Sequence, residues 1–276
     1  MSLFISSLNS GSNGNCYYIG NEKEAILVDA GISCRETEKR MARLGLSMEK
    51  VKAIFISHEH SDHIRGLKVL SKKHRLAVFI TPPTLKSSKL ILDLELVQTF
   101  KAYEPVAIGG LSITAFPKYH DASDPHSFIV SGNGVNIGVI TDVGASCKHV
   151  IQNFKLCNAA FLEANYDVEM LEKGRYPLNL KRRISGGRGH LSNKQALAIL
   201  MKHKPKFMSH LFLSHLSQDN NCPKLVNELF VKHAPKLQVV VASRYKETDV
   251  YKIVKGRFQE SIPSGETQSP VQLSLF

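Results

Sequence analysis

Short apolar runs that favour strands dominate the first half of the chain, and polar turn residues separate them. The runs are LFISS, CYYIG, EAILVD, VKAIFIS, LAVFI, LSITAF, SFIVS and VNIGVIT. Segments 34–46 and 64–74 instead place apolar residues three and four positions apart, which predicts helices. From residue 158 onward strands alternate with helices, which are predicted near 192–203 and 222–233. Two sheets packed face to face, with helices on the outer faces, satisfy this α/β pattern.

The composition changes near Gln259, where the chain reads QESIPSGETQSP and becomes polar and rich in Ser, Pro and Gly. A segment of this composition buries too little apolar surface to offset its conformational entropy. We therefore expect one folded domain at 1–258 and a disordered linker with a short tail at 259–276.

Charge and cysteine usage narrow the function classes. The 276 residues carry a formal charge of +12, which favours polyanions and makes nucleic acid the leading partner class; a basic surface with no dedicated partner is the alternative. Five widely spread cysteines without a C-x-x-C pair indicate no disulfide framework. A cytoplasmic location fits, and the absence of a leader or a long apolar run predicts neither export nor membrane insertion.

The segment SHEHSDH concentrates metal-binding side chains at the end of a predicted strand. It contains His58, His60, Asp62 and His63, and burying such a cluster is costly unless a divalent cation pairs with it. His58 and His60 can point to one side of an extended segment, while Asp62 and His63 begin the following helix. The spacing therefore offers two adjacent ligand sets for two metals, against the alternative of a solvated loop rich in histidine.

This segment resembles the H-x-H-x-D-H signature of the metallo-β-lactamase superfamily, and further landmarks occur in the expected order. The resemblance implies an αββα sandwich of two mixed β-sheets that binds two divalent metal ions, zinc or manganese, with iron as a further option. It also implies a role for each landmark residue: His58, His60 and His120 hold one metal; Asp62, His63 and His215 hold the other; Asp142 bridges them; and Asp29 supports a ligand without touching the metal. His126 and His210 are rivals of His120 and His215; the odd spacing of His210 and His215 places them on opposite strand faces, and strand-end placement favours His215.

A second motif favours the nuclease branch of this superfamily. GHLSN, with His190 before a helix that Ser192 would cap, is similar to an element of ribonuclease Z and J relatives in which the histidine contacts the scissile phosphate; a simple helix cap is the alternative. By the same resemblance Glu163 orients His190 and favours its charged form. Together with Asp62, these two are the expected catalytic residues. The intervening basic residues are expected to contact the phosphate backbone: Lys181, Arg182, Arg183 and Arg188.

The motifs in combination most resemble the small YycJ-like bacterial group, regarded as 5′–3′ exonucleases on DNA. Only 48 positions separate Asp142 from His190, too few for the large inserted domain of ribonuclease J-like enzymes. The segment ASRYKETDVYKI departs from the pattern, and the role of the loop Ser10–Cys16 stays open. Its residues suit either a plain turn or phosphate contact.

The last five residues resemble the peptide with which bacterial proteins bind the DNA sliding clamp. They are Gln272, Leu273, Ser274, Leu275 and Phe276; an unspecific apolar tail is the alternative. We therefore expect a metal-dependent DNA exonuclease of replication or repair, with DNA favoured over RNA. A ribonuclease or small-molecule phosphodiesterase of the same fold, and a clamp-associated DNA-binding module without catalysis, are the other hypotheses.

Overall fold

The computed structural model describes residues 2–256, which form two seven-stranded sheets flanked by helices. The strands are β1 Ser2–Asn9, β2 Cys16–Gly20, β3 Ala25–Val28, β4 Val51–Phe55, β5 Ala77–Phe79, β6 Val97–Gln98, β7 Pro105–Ile108, β8 Leu111–Pro117, β9 His126–Gly132, β10 Val135–Ile140, β11 Ala159–Glu163, β12 His210–Ser214, β13 Gln238–Val241 and β14 Tyr251–Val254. The helices are α1 Cys34–Arg43, α2 Ser61–Ile64, α3 Leu67–His74, α4 Pro82–Ser88, α5 Lys148–Phe154, α6 Val168–Lys173, α7 Leu178–Ser185, α8 Asn193–His203 and α9 Pro223–His233.

Both sheets are mixed, with an antiparallel half and a parallel half. The first has the order β14-β1-β2-β3-β4-β5-β6, and the second has the order β13-β12-β11-β10-β9-β8-β7. Pairing is antiparallel from β14 to β3 and from β7 to β10, and parallel in the remainder of each sheet. The described domain is therefore an αββα sandwich of two mixed sheets, as the sequence predicted.

Alternating side chains of each strand supply separate apolar layers. In β3, Ile26 and Val28 point into the core between the sheets, whereas Leu27 packs into the layer beneath α1 and α3. The central core is rich in aromatic rings, including the stacked pair Phe55 and Phe79 with centroids 4.5 Å apart. A third layer lies between the second sheet and α5, α8 and α9. Burial on both faces explains why the strands read as nearly continuous apolar runs.

Strand direction brings the polar landmarks to one edge of the sandwich. β8 and β10 each pair antiparallel with β9, so they run in the same direction as each other and as β11 and β12. In the first sheet β3 and β4 are parallel. The expected site residues follow the carboxyl ends of these strands: Asp29 after β3, His58 after β4, His120 after β8, Asp142 after β10, Glu163 at the end of β11 and His215 after β12.

The helices predicted at 34–46, 192–203 and 222–233 are confirmed as α1, α8 and α9, and other segments differ from the expectation. Ser192 caps α8 in a reciprocal capping box with Gln195. The segment predicted as one helix at 64–74 is two helices, α2 and α3, that meet at Gly66. The sequence pattern did not reveal α6 and α7, because both are short and α7 buries none of its residues. The unplaced segment near residue 250 contains β14, which pairs with β1.

Two expectations concern segments that lie outside residues 2–256. They are the linker and tail at 259–276 and the peptide 272–276. Among the described helices, none combines the length and the apolar character needed to cross a membrane.

Candidate metal centre

Three imidazoles converge at the first predicted ligand set. Nε2 of His58 lies 3.1 Å from Nδ1 of His60, and Nε2 of His120 lies 3.3 Å from that same Nδ1. His58 and His120 are buried, whereas His60 is partly exposed. The extended backbone between His58 and His60 places both rings on one side, with centroids 4.6 Å apart.

The second set lies directly beside the first. Nε2 of His63 is 3.5 Å from Oδ2 of Asp62, and Nε2 of His215 is 3.4 Å from the same oxygen. Asp142 lies between the two sets: its Oδ2 is 3.3 Å from His63, and its Oδ1 is 3.5 Å from His215 and 3.9 Å from His120. The structure thus brings together every side chain that the superfamily resemblance singled out as a ligand.

Protein groups anchor the outer nitrogen of four of these rings. Nδ1 of His63 donates to Asp29 at 2.7 Å, and Nδ1 of His120 donates to the carbonyl oxygen of Gly189 at 3.0 Å. Nδ1 of His58 lies 2.9 Å from the hydroxyl of Ser57, which itself donates to Asp29. Nδ1 of His215 lies 3.1 Å from Glu163. Because Nδ1 is held, Nε2 is the nitrogen that faces the centre.

Burial and mutual attraction determine the charge of the centre. Burial lowers the pKa of His120 to about 4, so this ring is neutral near pH 7. Burial would raise the pKa of Asp142, but the neighbouring His215 and His63 outweigh it and hold the pKa well below its ordinary value. Asp62 behaves in the same way, with His63 as the main partner and a pKa of about 2. Burial also lowers the pKa of His58 well below its ordinary value. At His63 and His215 burial would lower the pKa, but Asp142 and the other carboxylates outweigh it and raise the pKa, to about 10 for His215. The centre therefore combines ionised carboxylates with neutral His58 and His120 and with protonated His63 and His215.

Three residues of the centre depart from extended backbone at the strand ends. Asp29, Asp142 and His215 have φ values of 62°, 54° and 58°, in the left-handed region that residues other than glycine seldom adopt. The abrupt turn after each strand aims the side chain across the sheet edge. Such conformations persist where surrounding contacts enforce them, and they concentrate at functional sites.

The donor set fits a divalent cation. Because Nδ1 of His120 gives its hydrogen to a carbonyl, Nε2 carries a lone pair, yet this lone pair faces Nδ1 of His60. Oδ2 of Asp142 is buried and accepts no hydrogen bond from residues 2–256. A cation stabilises imidazole nitrogens and carboxylate oxygens that converge in a small space, and imidazole and carboxylate are ligands for zinc, manganese or iron.

His190 and Glu163 lie next to this cluster. Oε1 of Glu163 accepts from Nδ1 of His190 at 2.8 Å, and Oε2 accepts from the backbone N–H groups of Val143 and Leu191 at 2.7 and 3.1 Å. Burial would raise the pKa of Glu163, but His190 and the other donors hold it at about 2. Glu163 also contacts His215, a second contact that the sequence did not reveal. The ring of His190 stacks on that of His215, with centroids 5.2 Å apart.

The predicted basic residues surround the approach to His190 without entering the centre. Arg182, Arg183 and Arg188 are exposed, and Lys181 is partly exposed. Nε of Arg183 lies 2.5 Å from Asp121, the neighbour of His120. Of these residues, Arg183 therefore brings its guanidinium group next to a neighbour of the metal centre.

The two rival histidines lie away from the cluster. Nδ1 of His126 donates to the carbonyl oxygen of Asp124 at 2.9 Å, and its ring packs edge-on against Phe100. His210 is buried against Phe212 and Tyr251, on the other face of β12 from His215.

Sequence reasoning missed three polar residues that touch the centre. The side-chain amide of Asn15 lies 3.2 Å from Asp62 and 3.1 Å from His63. Lys118 is buried, and its Nζ donates to the carbonyl oxygen of Thr141 at 2.7 Å, just before Asp142; burial lowers the pKa of this amine. Asn165 donates to the backbone of His215. The sequence could have pointed to these three residues only through their positions, because each lies near the end of a strand or in the Asn-rich loop.

Comparison with known proteins agrees with this geometry. Residues 24–215, well over half of the chain, match the family model described as the β-lactamase superfamily domain. The chain belongs to the metallo-β-lactamase superfamily. Within this superfamily it is 36% identical over 228 residues to exodeoxyribonuclease YycJ of Bacillus anthracis, covering 82% of this chain and 86% of that protein. It is 30% identical over 249 residues to exodeoxyribonuclease WalJ of Streptococcus pneumoniae, covering 88% and 93%.

Solved metallo-β-lactamase structures share the fold. The metallo-β-lactamase fold protein YhfI of Bacillus subtilis superposes on this chain with a TM-score of 0.70 at 16% identity, and the superposition covers 91% of this chain and 99% of YhfI. The zinc-bound PqqB of Methylobacterium extorquens gives 0.68 at 15% identity, covering 89% and 99%. At these identities the likeness concerns the architecture.

Proposed function

We propose that this protein is a dinuclear metal-dependent phosphodiesterase that acts as a 5′–3′ exodeoxyribonuclease in DNA replication or repair. The observation that carries this proposal is the juxtaposition of the ligand cluster with the His190–Glu163 pair, 2.8 Å apart and outside the cluster. A structural metal site has no need of such a pair. The names of the two relatives support DNA as the substrate.

In this proposal His58, His60 and His120 hold one cation, Asp62, His63 and His215 hold the other, and Asp142 contacts both. When bound, two divalent cations would lower the pKa of water enough to supply hydroxide near neutral pH and would offset the charge that develops on the phosphate. Their identity is zinc or manganese, with iron as a further option. Asp29 keeps the Nδ1 hydrogen of His63 on the outer side, so that Nε2 faces a cation.

The residues around the metals bind and orient the phosphodiester. Glu163 accepts the Nδ1 hydrogen of His190 and orients its ring, so that the opposite nitrogen, Nε2, faces a phosphate oxygen or the departing alkoxide. The guanidinium groups of Arg182, Arg183 and Arg188 bind neighbouring phosphates along the strand. Lys181, tied to the carbonyl oxygen of Glu172 at 2.7 Å, adds positive charge to the same surface.

A panel of end-labelled substrates tests this function. Duplex DNA, single-stranded DNA and RNA, each with a 5′-phosphate or a 5′-hydroxyl, would be incubated with manganese, zinc or iron. We expect mononucleotides to be released from the 5′ end of DNA, with the activity lost on chelation and in Asp142→Ala. Faster cleavage of RNA would instead favour a ribonuclease. DNA binding without hydrolysis under any metal would favour a binding module.

We also propose that Gln272, Leu273, Ser274, Leu275 and Phe276 bind the DNA sliding clamp. These residues lie outside the described part of the chain, so the support comes from sequence: the glutamine amide and the two apolar side chains suit an extended peptide in an apolar pocket. From clamp binding and a DNA substrate, both proposed, we infer a cytoplasmic location.

Fluorescence anisotropy of a labelled clamp tests the peptide. We expect Phe276→Ala to weaken binding at least tenfold without changing hydrolysis of short DNA. Ser274→Asp is the matched control, because the peptide pattern accepts aspartate at this position. Equal binding by Phe276→Ala and the wild type would contradict the proposal.

A further inference from the structure

A cavity of about 200 Å³ begins one residue beyond His215. Three chain segments line it: Ser10, the stretch from Leu216 to Pro223, and the stretch from Val241 to Tyr245. Ser10 belongs to the Ser- and Asn-rich loop, and the last stretch belongs to the segment around residue 245 that the superfamily pattern left unplaced. The volume is several times the roughly 30 Å³ that one water occupies in the liquid, so it can hold a planar ring system.

Ser10 connects the cavity to the metal centre. Its hydroxyl accepts a hydrogen bond from the backbone N–H of His215 at 2.7 Å. Its own backbone N–H donates to the carbonyl oxygen of Ser243 at 3.1 Å. A ligand in the cavity would therefore lie within one residue of a metal-centre histidine, at a fixed position relative to it.

The lining combines an apolar surface with one exposed aromatic ring. Leu216, Pro223 and Val241 contribute apolar side chains, and Tyr245 is 74% exposed. The backbone of Tyr245 is held at both ends of the residue: its N–H donates to the hydroxyl of Ser243 at 3.0 Å, and its carbonyl accepts from Arg40 at 3.2 Å. An exposed ring on a fixed backbone is a stacking platform that needs little ordering when a ligand binds.

Arg244 forms part of the wall of the cavity. It is only 9% exposed, and its two terminal nitrogens donate to Gln218 at 2.5 Å and to Ser12 at 2.7 Å. Its Nε is buried and has no hydrogen-bond partner among residues 2–256. This nitrogen packs over Gly11 and has almost no accessible surface, so Arg244 shapes the wall of the cavity without offering it a free donor.

We propose that this cavity binds the nucleobase of the nucleotide whose phosphate lies at the metal centre, with the base stacked against Tyr245. This inference rests on the proposed nuclease function. A phosphate suits the cavity less well, because the lining is mainly apolar and the terminal nitrogens of Arg244 are already engaged. Every base has a π-face, so the site accepts bases of any sequence.

Steady-state kinetics on paired substrates test this cavity. One duplex carries a normal 5′-terminal nucleotide, and the other is identical except that this nucleotide is abasic. We expect the wild type to show a KM at least tenfold higher on the abasic end, and Tyr245→Ala to raise KM on the normal end by a similar factor while leaving KM on the abasic end unchanged. Tyr245→Phe restores stacking and should restore the low KM.

Tyr103→Ala is the matched control, because Tyr103 is also an exposed tyrosine, 48% accessible, but lies beside His149. Melting temperatures of all variants verify folding. Equal KM values for Tyr245→Ala and Tyr103→Ala on the normal end would refute the proposal that the cavity binds the base. The proposed nuclease function would not be affected by that result. A wild type that cleaves no DNA with any metal would overturn the proposed function, and the base site with it.

Discussion

Replacement of Glu163 by glutamine separates the chemistry of this carboxylate from its shape. Glu163 is completely buried, and its two oxygens accept four hydrogen bonds, from His190, His215, Val143 and Leu191. Glutamine keeps the volume but offers one oxygen and one NH₂ group. The NH₂ group must face either the two imidazoles or the two backbone N–H groups.

Either orientation leaves donors opposite donors in a buried site. Each buried donor without a partner costs about 1–3 kcal/mol, so we expect Glu163→Gln to lower the free energy of unfolding by about 2–4 kcal/mol. Loss of the carboxylate that orients His190 removes a general-acid contribution of about 10²–10⁴ in rate. Weaker anchoring of His215 should lower metal affinity by about 10–100-fold.

The assay combines kcat on 5′-labelled DNA at saturating manganese with urea unfolding and metal titration. Glu169→Gln is the control, because Glu169 is an exposed carboxylate on α6 that pairs with Lys173 at 3.3 Å; its effect on stability should stay within about 0.5 kcal/mol. A Glu163→Gln protein that folds, binds metal and retains the wild-type kcat would refute the assigned role of this residue.

Three further predictions concern the periphery of the centre. Asp29→Asn should lower metal affinity about 10–100-fold, measured by equilibrium dialysis, because the amide has one oxygen for the hydrogen bonds that Asp29 now accepts from Ser57 and from Nδ1 of His63. Arg182→Ser and Arg188→Ser should each reduce the slope of log binding constant against log salt by about 1 for duplex DNA. Burial lowers the pKa of His210 from 6.5 to about 4. Between these two values the unfolded chain binds a proton that the folded chain does not, so the free energy of unfolding decreases as the pH falls from 6.5 to 4. His210→Phe should remove about one proton from this dependence, roughly 1.4 kcal/mol per pH unit.

Each of these predictions has an outcome that contradicts it. Asp29→Asn with unchanged metal affinity would show that the carboxylate does not support the ligand. Parallel salt plots for the arginine variants and the wild type would show that Arg182 and Arg188 do not contact the phosphates of DNA. An identical pH dependence of urea unfolding in His210→Phe would show that this histidine is protonated equally in the folded and unfolded chains.

The architecture was largely predictable because local patterns and tertiary burial agree. Strands such as β10 and β12 are buried on both faces and therefore read as apolar runs, and α8 carries its own capping box. The two sheets could not be ordered from such patterns alone. α7 was missed because a helix without a buried face leaves no apolar periodicity in the sequence.

The candidate centre was predictable where ligands are close in sequence and less so where they are single. The spacing of His58, His60 and His63 is by itself typical of a metal site. His120 and His215 could be distinguished from the rival histidines only by their placement at strand ends and by the family resemblance. Lys118 and Asn15 could not be inferred, because their contacts with the centre depend on which strand ends become neighbours. The sequence likewise could not show that Glu163 contacts both His190 and His215, because these two histidines follow different elements that only the fold brings together.

The most direct test of the central claim is a crystal structure of the manganese- or zinc-loaded protein with anomalous scattering measured at the metal edge. We expect two peaks per chain. One should lie within about 2.0–2.3 Å of nitrogens of His58, His60 and His120, and the other within the same distance of ligand atoms of Asp62, His63 and His215. Asp142 should contact both metals. A single peak, or peaks that these side chains do not contact, would contradict the central claim.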